Sequence, residues 1–172
     1  MPELIVKHLD SFILIAAFMP DARDIRLEHE VCKRFLDRVL EHEPNTKLRI
    51  SITALGEVLV EFLRRKIPEE ASLRKLWEFV RKMGKRFEPY SPKLKGTASN
   101  IHEALGSIGH CCNDMESAQA DASMLAYAMV DPAAITLYTV DVHLLSCRKV
   151  QEAVQQFRED HNLEKLRIKP IP

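Results

Sequence analysis

Four carboxylates stand where a fold can put them to chemical use. Asp10 ends the β-rich run LIVKHL and Asp141 ends ITLYTV, so each directly follows a strand candidate. Asp121 belongs to a helix candidate with apolar positions at Ala118, Ala122, Leu125, Ala126 and Met129. At about 100° per residue its side chain falls inside that apolar arc. A carboxylate turned toward an interior is costly unless it is neutralised, hydrogen-bonded or paired with a cation. Glu57 lies in the first turn of the helix after the second strand candidate, near the same sheet edge if the strands are parallel, although periodicity sets it on the polar face beside Arg64. Read singly, each strand-end aspartate is first a helix cap and Glu57 a solvated surface acid. Read together, four carboxylates at one edge repel unless a divalent cation holds them, and hard oxygen ligands with retained water suit Mg²⁺ or Mn²⁺.

The elements that must position these groups alternate in type. After the strand at 4–9 comes an apolar helix at 12–18, then an amphipathic helix at 23–42 on Leu27, Val31, Phe35 and Val39. Leu48 to Ile52 is a strand, and Thr53 opens a helix striped by Leu55, Val58, Leu59, Phe62 and Leu63. A helix at 70–83 rests on Leu73, Leu76, Trp77, Val80 and Met83, with Gly84 as its C-terminal cap; Trp77 is assigned to the buried stripe. Phe87 to Tyr90 is an edge strand because Pro89 suits no central one, and 91–97 reads as loop. Ile101, Leu105 and Ile108 mark a modest helix before a turn around Asn113, and a strong helix follows at 116–130. A strand at 135–140, a helix around Val150, Val154 and Phe157, and a last strand at 166–168 complete the order. The expectation is a single α/β domain over 1–172 in three layers, with a mainly parallel sheet of four or five strands and elaborations near 23–42 and 91–115.

The 172 residues carry 25 basic and 25 acidic side chains and are 46% hydrophobic, a composition that excludes disorder, collagen and a small disulfide scaffold. Balanced charge argues against a protein that coats nucleic acid or membrane over its whole surface. It conceals a segregation, however. From Arg64 to Lys95 eleven basic residues face four glutamates, whereas 96–131 holds five acids and no lysine or arginine. The first segment suits a phosphate backbone and the second a metal, and Trp77, Phe79, Phe87 and Tyr90 interleave with the basic residues as candidates to stack on unpaired bases. Cys32, Cys111, Cys112 and Cys147 lack zinc-ligand spacing and read as reduced thiols; His110 beside the vicinal pair invites a metal reading that this spacing disfavours. Glu3 and Asp10 are out of place in a signal peptide, and FILIAAF is too short to span a bilayer, so the expected location is cytoplasmic with no membrane partner.

Four segments, LIVKHLDSFILIAAF, ISITALGEVLVEFLRR, ADASMLAYAM and LYTVDVHLL, stand in an order that resembles the PIN-domain ribonucleases, the group that includes the VapC-type toxins of toxin–antitoxin modules. The resemblance implies an α/β/α fold and hydrolysis of single-stranded RNA by a metal-dependent acidic cluster. Asp10, Glu57, Asp121 and Asp141 take the family's four acidic places, and Ser11 and Thr139 match hydroxyl positions that help orient water or phosphate. It also implies a homodimer and a small antitoxin partner. Phe12 stands where the family often has a small polar residue, and Val140 where it often has a basic or polar one. They keep open an alternative in which the fold is a catalytically weak RNA-binding or assembly module. A third reading, a phospho-receiver domain, lacks the adjacent acidic pair after the first strand. His143, two residues after Asp141, invites a general-acid role that depends on hydrogen-bond reach.

Overall fold

A computed structural model describes residues 4–19, 26–64, 69–92, 94–109 and 115–172; for 26–27, 69, 94–99 and 115–120 it describes the backbone alone. The expected elements around His110 to Asp114, including Asn113 and the Cys111–Cys112 pair, lie outside the described residues, as does the Pro68 helix stop.

Five strands, β1 (Ile5–Leu9), β2 (Thr46–Ser51), β3 (Phe87–Tyr90), β4 (Ala134–Tyr138) and β5 (Arg167–Lys169), form one sheet in the order β3-β2-β1-β4-β5. Every pairing is parallel. A parallel sheet must be covered on both faces, and the sequence supplies apolar helices for each. One face packs against α1 (Ser11–Phe18), α2 (Arg26–His42), α3 (Ile52–Arg64) and α4 (Glu69–Met83), whose Leu14, Phe35, Leu36, Val58, Phe62 and Phe79 join Leu9, Leu48 and Ile50 in one core. The other packs against α5 (Leu94–Gly109), α6 (Met115–Val130), α7 (Val142–Ser146) and α8 (Arg148–Asp160) through Ile108, Leu125, Met129, Val150, Val154 and Phe157. The result is the expected three-layer α/β/α domain. Among the described residues no helix is long and apolar enough to cross a membrane.

Pro89 sits on the edge strand, where its missing N–H breaks no ladder on the open side, and Gly84 takes φ +54 just past α4. Three sequence expectations are corrected. The helix marked by Ile101 and Ile108 begins at Leu94, so part of the expected 91–97 loop is helical. The strand at 135–140 ends at Tyr138, and a five-residue helix, α7, follows Asp141. Trp77 is 69% exposed, because the buried face of α4 is centred on Ser72, Leu76, Phe79 and Met83, and Trp77 lies one 100° step beyond Leu76. Phe79 and Phe87 are buried against each other, so neither is open to a base.

Candidate functional site

The strand order places a switch at β1 and β4: the chain leaves β1 for β2 and β3 on one side and returns to β4 and β5 on the other. Loops beyond the carboxyl ends of two such strands diverge and leave a crevice, the usual ligand position in open parallel sheets. Leu9 and Tyr138 are paired at those ends, and Asp10 and Asp141 follow them. The Asp10 N–H donates to the Tyr138 carbonyl at 3.0 Å and the Thr139 N–H to the Lys169 carbonyl at 3.1 Å, so the backbone under both carboxylates extends the sheet's bonding.

Each aspartate is also a helix cap. Asp10 Oδ1 accepts from the Phe12 N–H at 3.0 Å and from the Ser11 hydroxyl at 3.3 Å. Asp141 Oδ1 accepts from the His143 N–H at 2.6 Å and the Leu144 N–H at 3.2 Å. These bonds satisfy orphan amides at the start of α1 and α7 and aim the positive ends of both helices at the carboxylates. Thr139, fully buried, joins the two: its hydroxyl donates to Asp10 Oδ2 at 2.5 Å and accepts from the Asp141 N–H at 3.0 Å.

Asp121, partly buried on α6, completes the group. Burial and then the negative charges of Asp10 and Asp141 push its carboxyl up to about 7, helped by a hydrogen bond with Asp141 and, least, by Glu57. Burial first, and anionic neighbours second, disfavour the charged form, so a carboxyl so placed holds a proton near neutrality. The interior position inferred from the helical periodicity thus faces the strand-end acids. Glu57 is half-buried within electrostatic reach despite its polar-face position. His143 is exposed.

Among the described residues, no ion pair joins a lysine or arginine to Asp10, Glu57, Asp121 or Asp141. Nor do three His, Cys, Asp or Glu side chains there stand in a ready-made metal-holding arrangement. The acids gather without closing into a cage. Their chemistry still fits a hard divalent cation: the donors are all oxygen, and burial together with the charges of Asp10 and Asp141 raises the Asp121 carboxyl.

A second polar assembly, on the α5–α6–α8 side of the sheet, was not legible in the motifs. Arg49 of β2 spans Asp131 at 2.6 Å and Glu88 at 2.8 Å, and His8 Nε2 lies 2.7 Å from Asp131. Burial lowers the His8 pKa and keeps the ring neutral, its Nε2–H donating to Asp131. Burial alone would raise the Asp131 carboxyl, but the hydrogen bonds from His8 and Arg49 outweigh it and hold it below the usual carboxylate range. Arg158, with no exposed surface, donates to the carbonyls of Ala128, Met129, Asp131, Ala134 and Glu164, tying α8 to the end of α6 and the start of β4. These groups hold α6, and with it Asp121, against the sheet. Within the expected basic segment, Arg86 is similarly committed, to the Val39, Leu40 and Glu43 carbonyls at the end of α2.

Over 98% of its length the chain is similar to a chain in the crystal structure of VapBC2 from Rickettsia felis bound to a DNA fragment from their promoter. The match covers 100% of that chain with a TM-score of 0.58 and 14% sequence identity. At that identity the likeness is one of fold. No family model and no curated protein matches the sequence.

Proposed function

We propose that this chain, with its VapC-like PIN fold, is an endoribonuclease that hydrolyses phosphodiester bonds in single-stranded RNA, with Asp10, Glu57, Asp121 and Asp141 holding Mg²⁺ or Mn²⁺. The observation that carries the reading is the Thr139 hydroxyl bonded to the Asp10 carboxylate and the Asp141 N–H, with an Asp121 carboxyl raised by burial and by the charges of both aspartates. When bound, the metal lowers the pKa of water and steadies charge on the phosphate. The chain's own residues do the positioning. Helix amides hold both carboxylates, the Thr139 hydroxyl holds the second oxygen of Asp10 and the backbone of Asp141, and Ser11 shares the first of these carboxylates. Asp121 must give up its proton for the group to take a cation, which couples affinity to pH near neutrality. Hydrolysis through water needs no nucleophile from the chain.

Asp10→Asn and Asp141→Asn are expected to abolish cleavage of a single-stranded RNA while circular dichroism stays unchanged. Cleavage that survives excess chelator overturns the metal assignment. The competing reading, a weakly catalytic RNA-binding module, draws on the absence of a closed cage among the described residues. Calorimetric titration decides: RNA binding with no Mn²⁺ uptake at millimolar metal favours the module. A toxin role with an antitoxin partner is supported by the VapBC2 likeness. Homodimerisation is supported by apolar Leu59, Val60 and Leu63 of α3 and Trp77 of α4, all open to solvent. Sedimentation of the chain alone and with Leu63→Glu tests it.

A further inference from the structure

Against the acidic cluster lies a cavity of about 350 Å³, lined by Glu28 and Cys32 of α2, Thr139 and Val140 after β4, Leu145 of α7 and Ile171 of the C-terminal tail. We propose that this cavity seats one unpaired base of the RNA beside the reacting phosphate, and that Glu28 selects guanine there. The proposal rests on the ribonuclease reading for the class of ligand; the cavity's own geometry supplies the rest.

Position comes first. Thr139 lines the cavity and its hydroxyl is bonded to Asp10, so the cavity and the acidic cluster adjoin at one residue. Size comes second: the volume is at the low end of the roughly 300–1,000 Å³ of small-molecule sites, suited to a single base with its sugar. The third consideration is chemistry. Val140, Leu145 and Ile171 offer apolar surface to a flat π face. The Cys32 thiol is buried and uncharged, pushed up to about 12 by burial and by Glu28 and Asp10. Val140, a departure from the pattern the sequence otherwise resembles, is here a wall that a base can lie against.

Among the described residues that line the cavity, Glu28 is the one charged group. A carboxylate only accepts hydrogen bonds, and it excludes a phosphate from the same space. Guanine presents N1–H and the N2 amine side by side, two donors matched to two carboxylate oxygens. Adenine and cytosine set an acceptor nitrogen beside their amine, and uracil offers a single N–H between two carbonyls. Sequence-selective RNA sites work in this way, gripping an unstacked base and reading its Watson–Crick edge. An arginine from a protein partner would also match Glu28, but nothing about it requires a cavity adjoining the hydrolytic carboxylates.

The test uses nucleosides, which carry no phosphate and so bind independently of metal and cleavage. Guanosine, inosine, adenosine and uridine are titrated into the intact chain with chelator present, and the methyl resonances of Val140, Leu145 and Ile171 are followed by NMR. Guanosine is expected to shift these methyls and to bind more tightly than inosine, which lacks the N2 amine, with adenosine and uridine weaker still. Glu28→Gln should weaken guanosine about tenfold, within the range of one bidentate base contact, and Val140→Phe, which fills the cavity, should abolish the shifts. Equal response to guanosine and uridine, no response, or unchanged affinity in Glu28→Gln overturns the proposal. So does a response to N-acetylarginine amide without one to guanosine, which assigns the cavity to a protein partner. Guanosine binding in a chain that cleaves no RNA defeats the nuclease reading alone. Metal-dependent cleavage without guanosine binding defeats the cavity reading alone.

Discussion

Asp121→Asn should make the protein more stable at alkaline pH while abolishing cleavage. The Asp121 carboxyl titrates at about 7 in the fold against an ordinary 3.8. Between those values the folded chain holds the proton more tightly than the unfolded chain. Stability therefore falls as pH rises from about 4 to about 7 and is flat above. Some three pH units at about 1.36 kcal/mol each give roughly 4 kcal/mol, and because the side chain is only partly buried, solvent screening brings this to about 2 kcal/mol. Asparagine has nearly the same shape and does not ionise, so it escapes the penalty. Urea unfolding with chelator at pH 8 should show the variant about 2 kcal/mol more stable, or about 4–8 °C higher in Tm for a chain of this size. The gap should shrink to about a quarter of that at pH 4.5 and close below about pH 3.5. Added Mn²⁺ should narrow it at pH 8, because a cation bound only by the folded wild type stabilises that form. A variant less stable than wild type at pH 8, or a gap independent of pH, refutes the account of Asp121 as a carboxyl held among anions.

Thr139→Val, close in volume, removes a donor from Asp10 and an acceptor from the Asp141 N–H at a fully buried site. A cost of about 2–4 kcal/mol in urea unfolding is expected, with Thr139→Ser much milder, and equal effects of the two would discount the bridge. Arg158→Met leaves carbonyls at the end of α6 and the start of β4 without their donor. It should cost more than about 3 kcal/mol by the same measurement; a loss under about 1 kcal/mol would mean water serves those carbonyls as well. Trp77 is the sole tryptophan, so its fluorescence reads its own burial. Emission in the folded protein should already resemble that of the urea-unfolded chain and be quenched by iodide, whereas a blue-shifted, protected signal would return Trp77 to the core.

What was legible in the sequence follows the range of the interactions. β1, β2 and β4 and the helices after them carry their own local signals, and Asp121 could be found because a charge inside an apolar arc contradicts its surroundings within four residues on either side. Trp77 was misassigned for a related reason: helical periodicity gives the width of an apolar stripe but leaves its centre to the neighbouring helix, and on α4 that centre lies at Leu76 and Phe79. Helix α7 is too short to have a period, and only Asp141 announces it. The side-chain partners of Asp131 lie 82 and 123 residues away along the chain, and the partners of Arg158 on α6 and β4 lie 24 to 30 residues away, so no local pattern announces either role.

Weighing each strand-end aspartate as either a cap or a ligand set two compatible roles against each other. At both Asp10 and Asp141 the helix amides engage Oδ1, which uses half of a carboxylate. At Asp10 the other oxygen receives the Thr139 hydroxyl. Capping fixes the carboxylates at the strand ends, the buried Thr139 hydroxyl ties the Asp10 carboxylate to the Asp141 backbone, and α6, held against the sheet by Asp131 and Arg158, brings a third acid that neither helix start can neutralise. The same local bonds that begin α1 and α7 thus build an anionic site. Its negative charge, gathered from several acids rather than set by any single motif, suits a cation.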